Sequence, residues 1–135
     1  MNNTENKFIK VIRNNNWFGI KLNPFTSSGF GVNQIADFLV ANNKGVYVIE
    51  CKERKGNYFY LKDLTQSLQM RKLLNKSNKL IPYILINFYE KNKIFLLTKR
   101  QLMNIRKELK NKKGLNIKDI PKEYLITWNN INKVL

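Results

Sequence analysis

The run Ile81-Pro82-Tyr83-Ile84-Leu85-Ile86-Asn87-Phe88-Tyr89 constrains the fold more than any other stretch. Side chains alternate across a strand, and this run is apolar on both alternations except at Asn87. Such a strand belongs inside a sheet whose two faces are covered. After a turn at Glu90-Lys91-Asn92-Lys93, the run Ile94-Phe95-Leu96-Leu97 has the same character. The rest of the chain must supply neighbouring strands and the elements that clad them.

Thr4 is placed to cap a first helix with Phe8, Ile9 and Ile12 on one stripe, ended by Asn14-Asn15-Asn16. Residues 17–22 read as a strand stopped at Asn23-Pro24, and residues 26–33, with two Ser and two Gly, as a loop. Residues 63–76 read as a helix with Leu64, Leu68, Met70, Leu73 and Leu74 as its apolar positions. Thr98 opens a basic helix over 99–112, stopped at Gly114, with Leu102, Met103, Ile105 and Leu109 turned inward. The apolar stretch 124–128 is either a last strand or a cover for the core. This order predicts a mixed sheet with helices packed against it. At 135 residues and 43% hydrophobic, the chain reads as one domain spanning 1–135.

Chemistry gathers in a hairpin. Ile35-Ala36-Asp37-Phe38-Leu39-Val40 and Val46-Tyr47-Val48-Ile49-Glu50-Cys51-Lys52 flank Asn42-Asn43-Lys44-Gly45, whose Asn and Gly suit positive φ. Glu50 and Lys52 share one strand face and Cys51 takes the other. A turn centred between Asn43 and Lys44 sets Asp37 directly opposite Glu50. Opposed residues have Cβ atoms about 4.5–5.5 Å apart, where like charges repel. Two facing carboxylates beside a Lys call for a cation, and a hard, oxygen-preferring ion such as Mg²⁺ suits them. A one-residue slip in register would part the pair. An isolated E-x-K is commonly a solvated ion pair, but here Glu50 ends an apolar run and Asp37 interrupts another.

Composition narrows the chemistry further. The chain has no His, so His bases and most zinc sites are excluded. The single Cys51 forms no internal disulfide or CxxC pair, which suits a reducing compartment. No apolar run approaches the ~20 residues of a membrane span, and no leader pattern opens the chain, so a cytoplasmic protein with no membrane partner is expected. The balance of 25 Lys and Arg against 9 Asp and Glu gives a net charge of +16. That field attracts a polyanion, with nucleic acid first among the candidates.

The residues around the hairpin resemble the PD-(D/E)XK nuclease motif, and the chain is most similar to the Holliday junction resolvases of the archaeal Hjc and bacterial RecU types. Ala36-Asp37-Phe38 stands where that motif has Pro-Asp, and Ile49-Glu50-Cys51-Lys52 where it has E-x-K. Thr4-Glu5, with Phe8 and Ile12, resembles the family's first helix, and Ser27-Ser28-Gly29 the Ser-Gly loop of the archaeal type. Leu68-Gln69-Met70-Arg71-Lys72-Leu73 resembles the RecU-type helix that carries a Gln near the active site; Gln66, three residues earlier, is the other candidate. The segment before Asp37 is too short for the long RecU-type stalk.

The resemblance implies a restriction-endonuclease-like α/β fold, three layers (α/β/α) around a central mixed five-stranded sheet. It further implies a homodimeric endonuclease, dependent on Mg²⁺ with Mn²⁺ able to substitute, that resolves four-way DNA junctions in recombination and repair. Asp37, Glu50 and Glu5 would hold metal, and Lys52 and Gln69 would join Asp37 and Glu50 as catalytic residues. Without that resemblance Glu5 is more often a helix-dipole or capping charge. The competing readings are a restriction-type or mismatch-nicking nuclease on the same fold and a non-catalytic basic nucleic-acid-binding module.

Overall fold

The computed structural model describes residues 3–22, 36–60, 80–110 and 112–135. The Ser27-Ser28-Gly29 loop and the helix expected at 63–76, with Gln66 and Gln69, lie outside the described residues. Helix α1 (Asn3–Asn14) leads into strands β1 (Phe18–Lys21), β2 (Phe38–Asn42), β3 (Gly45–Arg54) and β4 (Tyr58–Tyr60). Strands β5 (Leu80–Phe88) and β6 (Lys93–Thr98), helix α2 (Lys99–Glu108), and the short strands β7 (Gly114–Asn116) and β8 (Leu125–Ile126) follow.

Six strands form the main sheet in the order β1-β2-β3-β5-β6-β8. Only β3 and β5 run parallel; every other neighbouring pair is antiparallel. The sheet thus has one strand more than the expected five. The sixth is β8, two residues of the 124–128 stretch, which pair Ile126 with Ile94 and Leu125 with Phe95. So short a run carries no periodicity of its own, and the edge of β6 makes it a strand.

The doubly apolar strands occupy the covered interior, as their pattern demands. On one face Leu85, Ile94 and Leu96 join Phe38, Val40, Tyr47 and Ile49 against Phe8, Val11 and Ile12 of α1. On the other, Ile84, Ile86, Phe88, Phe95 and Leu97 pack against Leu102 and Ile105 of α2. The two helices therefore lie on opposite faces of the sheet. Phe8 and Phe38 are fully buried in ring contact at 5.1 Å, which fixes α1 over the end of β2.

Local expectations fail at four places. Thr4 does not cap α1 but lies inside its first turn, buried, with its hydroxyl committed to distant strands. The β2–β3 turn needs no positive φ: Asn42 Oδ1 accepts the Lys44 and Gly45 N–H groups at 2.9 and 3.3 Å. Non-glycine positive φ falls instead at Asn16, Asn92 and Lys110. The basic helix stops at Glu108, four residues early, because Lys110 turns left-handed and Gly114 is drawn into β7. Strands β4 and β7 pair as a separate two-stranded sheet that the sequence pattern does not announce. The Thr98 cap is observed, with Gln101 N–H donating to Thr98 Oγ1 at 3.1 Å and Thr98 N–H to Gln101 Oε1 at 2.8 Å.

Candidate active site

The β2–β3 ladder has the register inferred from the turn, with Phe38 opposite Ile49 and Asn42 opposite Gly45. Asp37 lies one step beyond its end, toward Glu50. There the Asp37 N–H donates to Ile49 O at 3.0 Å, and the next β3 amide on that side is the Cys51 N–H. Asp37 Oδ2 accepts it at 2.7 Å. The side chain of Asp37 is thus fixed against the backbone of β3 just beyond the end of the β2–β3 ladder.

Glu50 is buried at 4% exposure, with Lys52 Nζ 3.2 Å from its Oε1. Burial pushes its carboxyl above the usual range, while the nearby Lys52 and Lys99 cations pull it back. Asp37 is raised from 3.8 to about 6, first by burial. The Cys51 N–H opposes that shift, whereas the charges of Glu5 and Glu50 and a side-chain hydrogen bond with Glu5 add to it. Glu5 reaches this place from the first turn of α1, buried, with Lys21 Nζ 3.5 Å from its Oε2.

The structure therefore brings Asp37, Glu50, Glu5 and Lys52 into one neighbourhood; Gln69 lies outside the described residues. Cys51 faces the α1 side of the sheet, and burial pushes its thiol far above its ordinary range, so it is no nucleophile. Among the described residues, no group of three or more Asp, Glu, Cys or His side chains stands in position to hold a metal ion between them. A hard ion that keeps several waters needs only one or two carboxylates. The donor set fits such an ion: all its ligand atoms are oxygens, and Asp37 holds a proton more tightly than usual because it is buried beside the Glu5 and Glu50 charges.

Sequence reasoning missed two features. Lys99, which opens the basic helix, is buried at the start of α2 and acts on Glu50. Thr4 Oγ1 donates to Glu53 Oε1 at 2.6 Å and accepts from Asn87 Nδ2 at 3.0 Å, tying the first turn of α1 to β3 and β5. The one signal for this network was Asn87, the polar break in an apolar strand.

A mixed sheet between two helices, with carboxylates and a lysine at the end of the β2–β3 ladder, defines a resolvase-type domain of the PD-(D/E)XK class. The chain belongs to the RecU (recombination protein U) family, whose model matches residues 5–135. This is a family of Holliday junction resolvases, nucleases of DNA recombination. Among solved structures, the fold is similar to that of Hjc from Archaeoglobus fulgidus, a Holliday junction resolvase from an archaeal hyperthermophile. The two are 15% identical, with a TM-score of 0.52 over 73% of this chain and 76% of that one. A search of the curated proteins finds no match. No described helix is long and apolar enough to cross a membrane.

Proposed function

We propose that this chain, as one nuclease domain and a homodimer, resolves four-way DNA junctions in the cytoplasm by Mg²⁺-dependent hydrolysis. The observation that carries this reading is the meeting of Asp37, Glu5 and Glu50, with Lys52 Nζ 3.2 Å from Glu50. Asp37 and Glu50, assisted by Glu5, would hold the ion. When bound, Mg²⁺, or Mn²⁺ in its place, polarises the phosphodiester and acidifies the attacking water.

The chain's own residues do the rest. The Cys51 N–H holds Asp37 in place, and Lys21 steadies Glu5. Lys52, held by Glu50, donates hydrogen bonds to a non-bridging phosphate oxygen, where negative charge grows as water oxygen attacks phosphorus and the P–O bond breaks. Lys and Arg side chains bind the flanking phosphates. A catalytic role for Gln69, or for Gln66 in its stead, rests on the family resemblance alone.

The test is cleavage of a synthetic four-way junction with Mg²⁺ and with EDTA, beside linear duplex and flap DNA. Wild type cuts the junction only with metal, and Asp37→Ala and Glu50→Ala bind it without cutting. Undiminished cleavage by both variants overturns the reading. Preferred cleavage of duplex or flap keeps the chemistry and replaces the substrate.

A further inference from the structure

The two-stranded β4–β7 sheet carries an aromatic surface that the cleavage site does not use. Phe59 turns inward and is fully buried against the α2 face, with the Arg54 guanidinium 5.1 Å from its ring centre. Tyr58 and Tyr60, its neighbours on either side, turn the other way and are 36% and 49% exposed. Their rings meet edge to face at 4.8 Å. Across the pair, β7 presents Gly114 opposite Tyr60. A Cβ there would stand 2.5 Å from Tyr58 Cε1, so the ring lies down on the space that glycine leaves. Tyr58 is thereby fixed in the folded protein, with part of its surface still open to solvent.

The surroundings select the occupant. Lys55, Lys112, Lys113 and Lys118 are exposed on the segments that flank the two strands. Among the described residues, two acidic groups nearby are engaged by backbone: Glu90 Oε1 accepts from Gly56 N–H and Asp119 Oδ2 from Asn116 N–H, both at 2.9 Å. Exposed aromatic rings in a positive setting suit a polyanion that has flat apolar faces, as unpaired nucleotides do. A second copy of a chain with net charge +16 would bring like charge to the same patch. Glu50, Lys52 and Arg54 alternate onto one face of β3, and Arg54 ends this series against Phe59. The track from Glu50 to Arg54 is roughly 13 Å long.

We propose that Tyr58 and Tyr60 form a stacking platform for unpaired bases of DNA whose backbone passes the Glu50–Lys52 site. The proposal takes from the nuclease reading only its substrate, and it supplies that reading with a structural reason to favour branched over fully paired DNA.

Binding in EDTA tests it apart from cleavage. Labelled oligothymidylate and a duplex of equal length are titrated with wild type, Tyr60→Ala, Tyr58→Ala, and the two Tyr→Phe variants. Each Ala variant should lose about 5- to 100-fold in affinity for oligothymidylate, with duplex affinity held within about twofold and the Phe variants close to wild type. Circular dichroism identifies any variant that fails to fold, and Tyr60→Ala leaves the Tyr58–Gly114 contact intact should Tyr58→Ala fail. Equal losses on both DNAs, no loss, damage by Phe equal to damage by Ala, or loss of self-association on gel filtration would overturn the platform. Wild type that cuts no junction, yet binds oligothymidylate through Tyr60, leaves the platform standing while the nuclease reading falls.

Discussion

Asp37 titrates in opposition to the fold that holds it. In the metal-free protein its carboxyl is raised from 3.8 to about 6, so the folded chain binds that proton more tightly than the unfolded chain does. The unfolded state then releases its proton first as pH rises, and stability falls between pH of about 4 and about 6. Asp37→Asn removes the charge and keeps an oxygen for the Cys51 N–H. In EDTA this variant should melt higher than wild type above pH of about 6, by about 1–2 kcal/mol once partial solvent exposure is discounted. Below pH of about 4 the two should converge, and added Mg²⁺ should raise the melting temperature of wild type alone. An Asp37→Asn protein no more stable at alkaline pH would show that neither burial nor the neighbouring carboxylates disfavour the Asp37 charge.

Lys52 acts at the same scale by a different route. It is one of 25 Lys and Arg residues, so its loss changes overall attraction for DNA little. Its place on the face it shares with Glu50 is what matters. Lys52→Ala should slow junction cleavage about 100-fold in single-turnover experiments, a loss typical of removing one donor aimed at developing charge. Junction affinity should stay within about threefold. Equal loss of binding and rate would reduce Lys52 to a phosphate anchor.

At the scale of elements, the site depends on how α1 is seated. The Thr4 hydroxyl joins Glu53 on β3 and Asn87 on β5, and Glu5 follows Thr4 directly. Thr4→Val keeps the shape and leaves the buried Asn87 amide without that acceptor. It should cost about 1–3 kcal/mol in urea unfolding and lower cleavage by shifting Glu5, while Thr4→Ser restores both. A Thr4→Val protein with native stability would show that packing of Phe8 and Ile12 alone seats the helix.

This network also shows what was legible in advance. The β2–β3 register could be read because a two-residue turn sets it, which brings Asp37 near Glu50. The ladder itself ends at Phe38 and Ile49, and Asp37 is held by Ile49 O and the Cys51 N–H rather than paired directly with Glu50. The strands at β5 and β6 were legible from apolar runs no exposed strand would carry. The approach of Glu5 to Asp37 was not legible from spacing, since it depends on tertiary docking of α1, and only the family resemblance pointed to it. Thr4 has the same local signature as a cap and as a buried hydroxyl. Lys99 reads as surface until β6 and α2 carry it under the sheet. Strands β4 and β7 are three residues each, stabilised by a partner more than fifty positions away.

Over the whole molecule, the net charge of +16 and the acidic pocket have opposite effects on DNA. Three of the nine acidic residues, Glu5, Asp37 and Glu50, meet in one place. Without metal they repel the phosphate that the surrounding cations attract. Counterion release governs the attraction, and even four phosphate contacts imply about a 100-fold fall in affinity between about 50 and about 200 mM salt. Anisotropy titrations of duplex DNA in EDTA should show at least that fall. Glu50→Gln removes one repelling charge and releases Lys52 from its ion pair, so it should bind tighter than wild type at low salt. That advantage should shrink as salt screens the remaining carboxylates. A flat salt dependence would mean that the positive charge serves something other than phosphate. A Glu50→Gln protein that binds no tighter than wild type would place the path of the backbone away from Glu50.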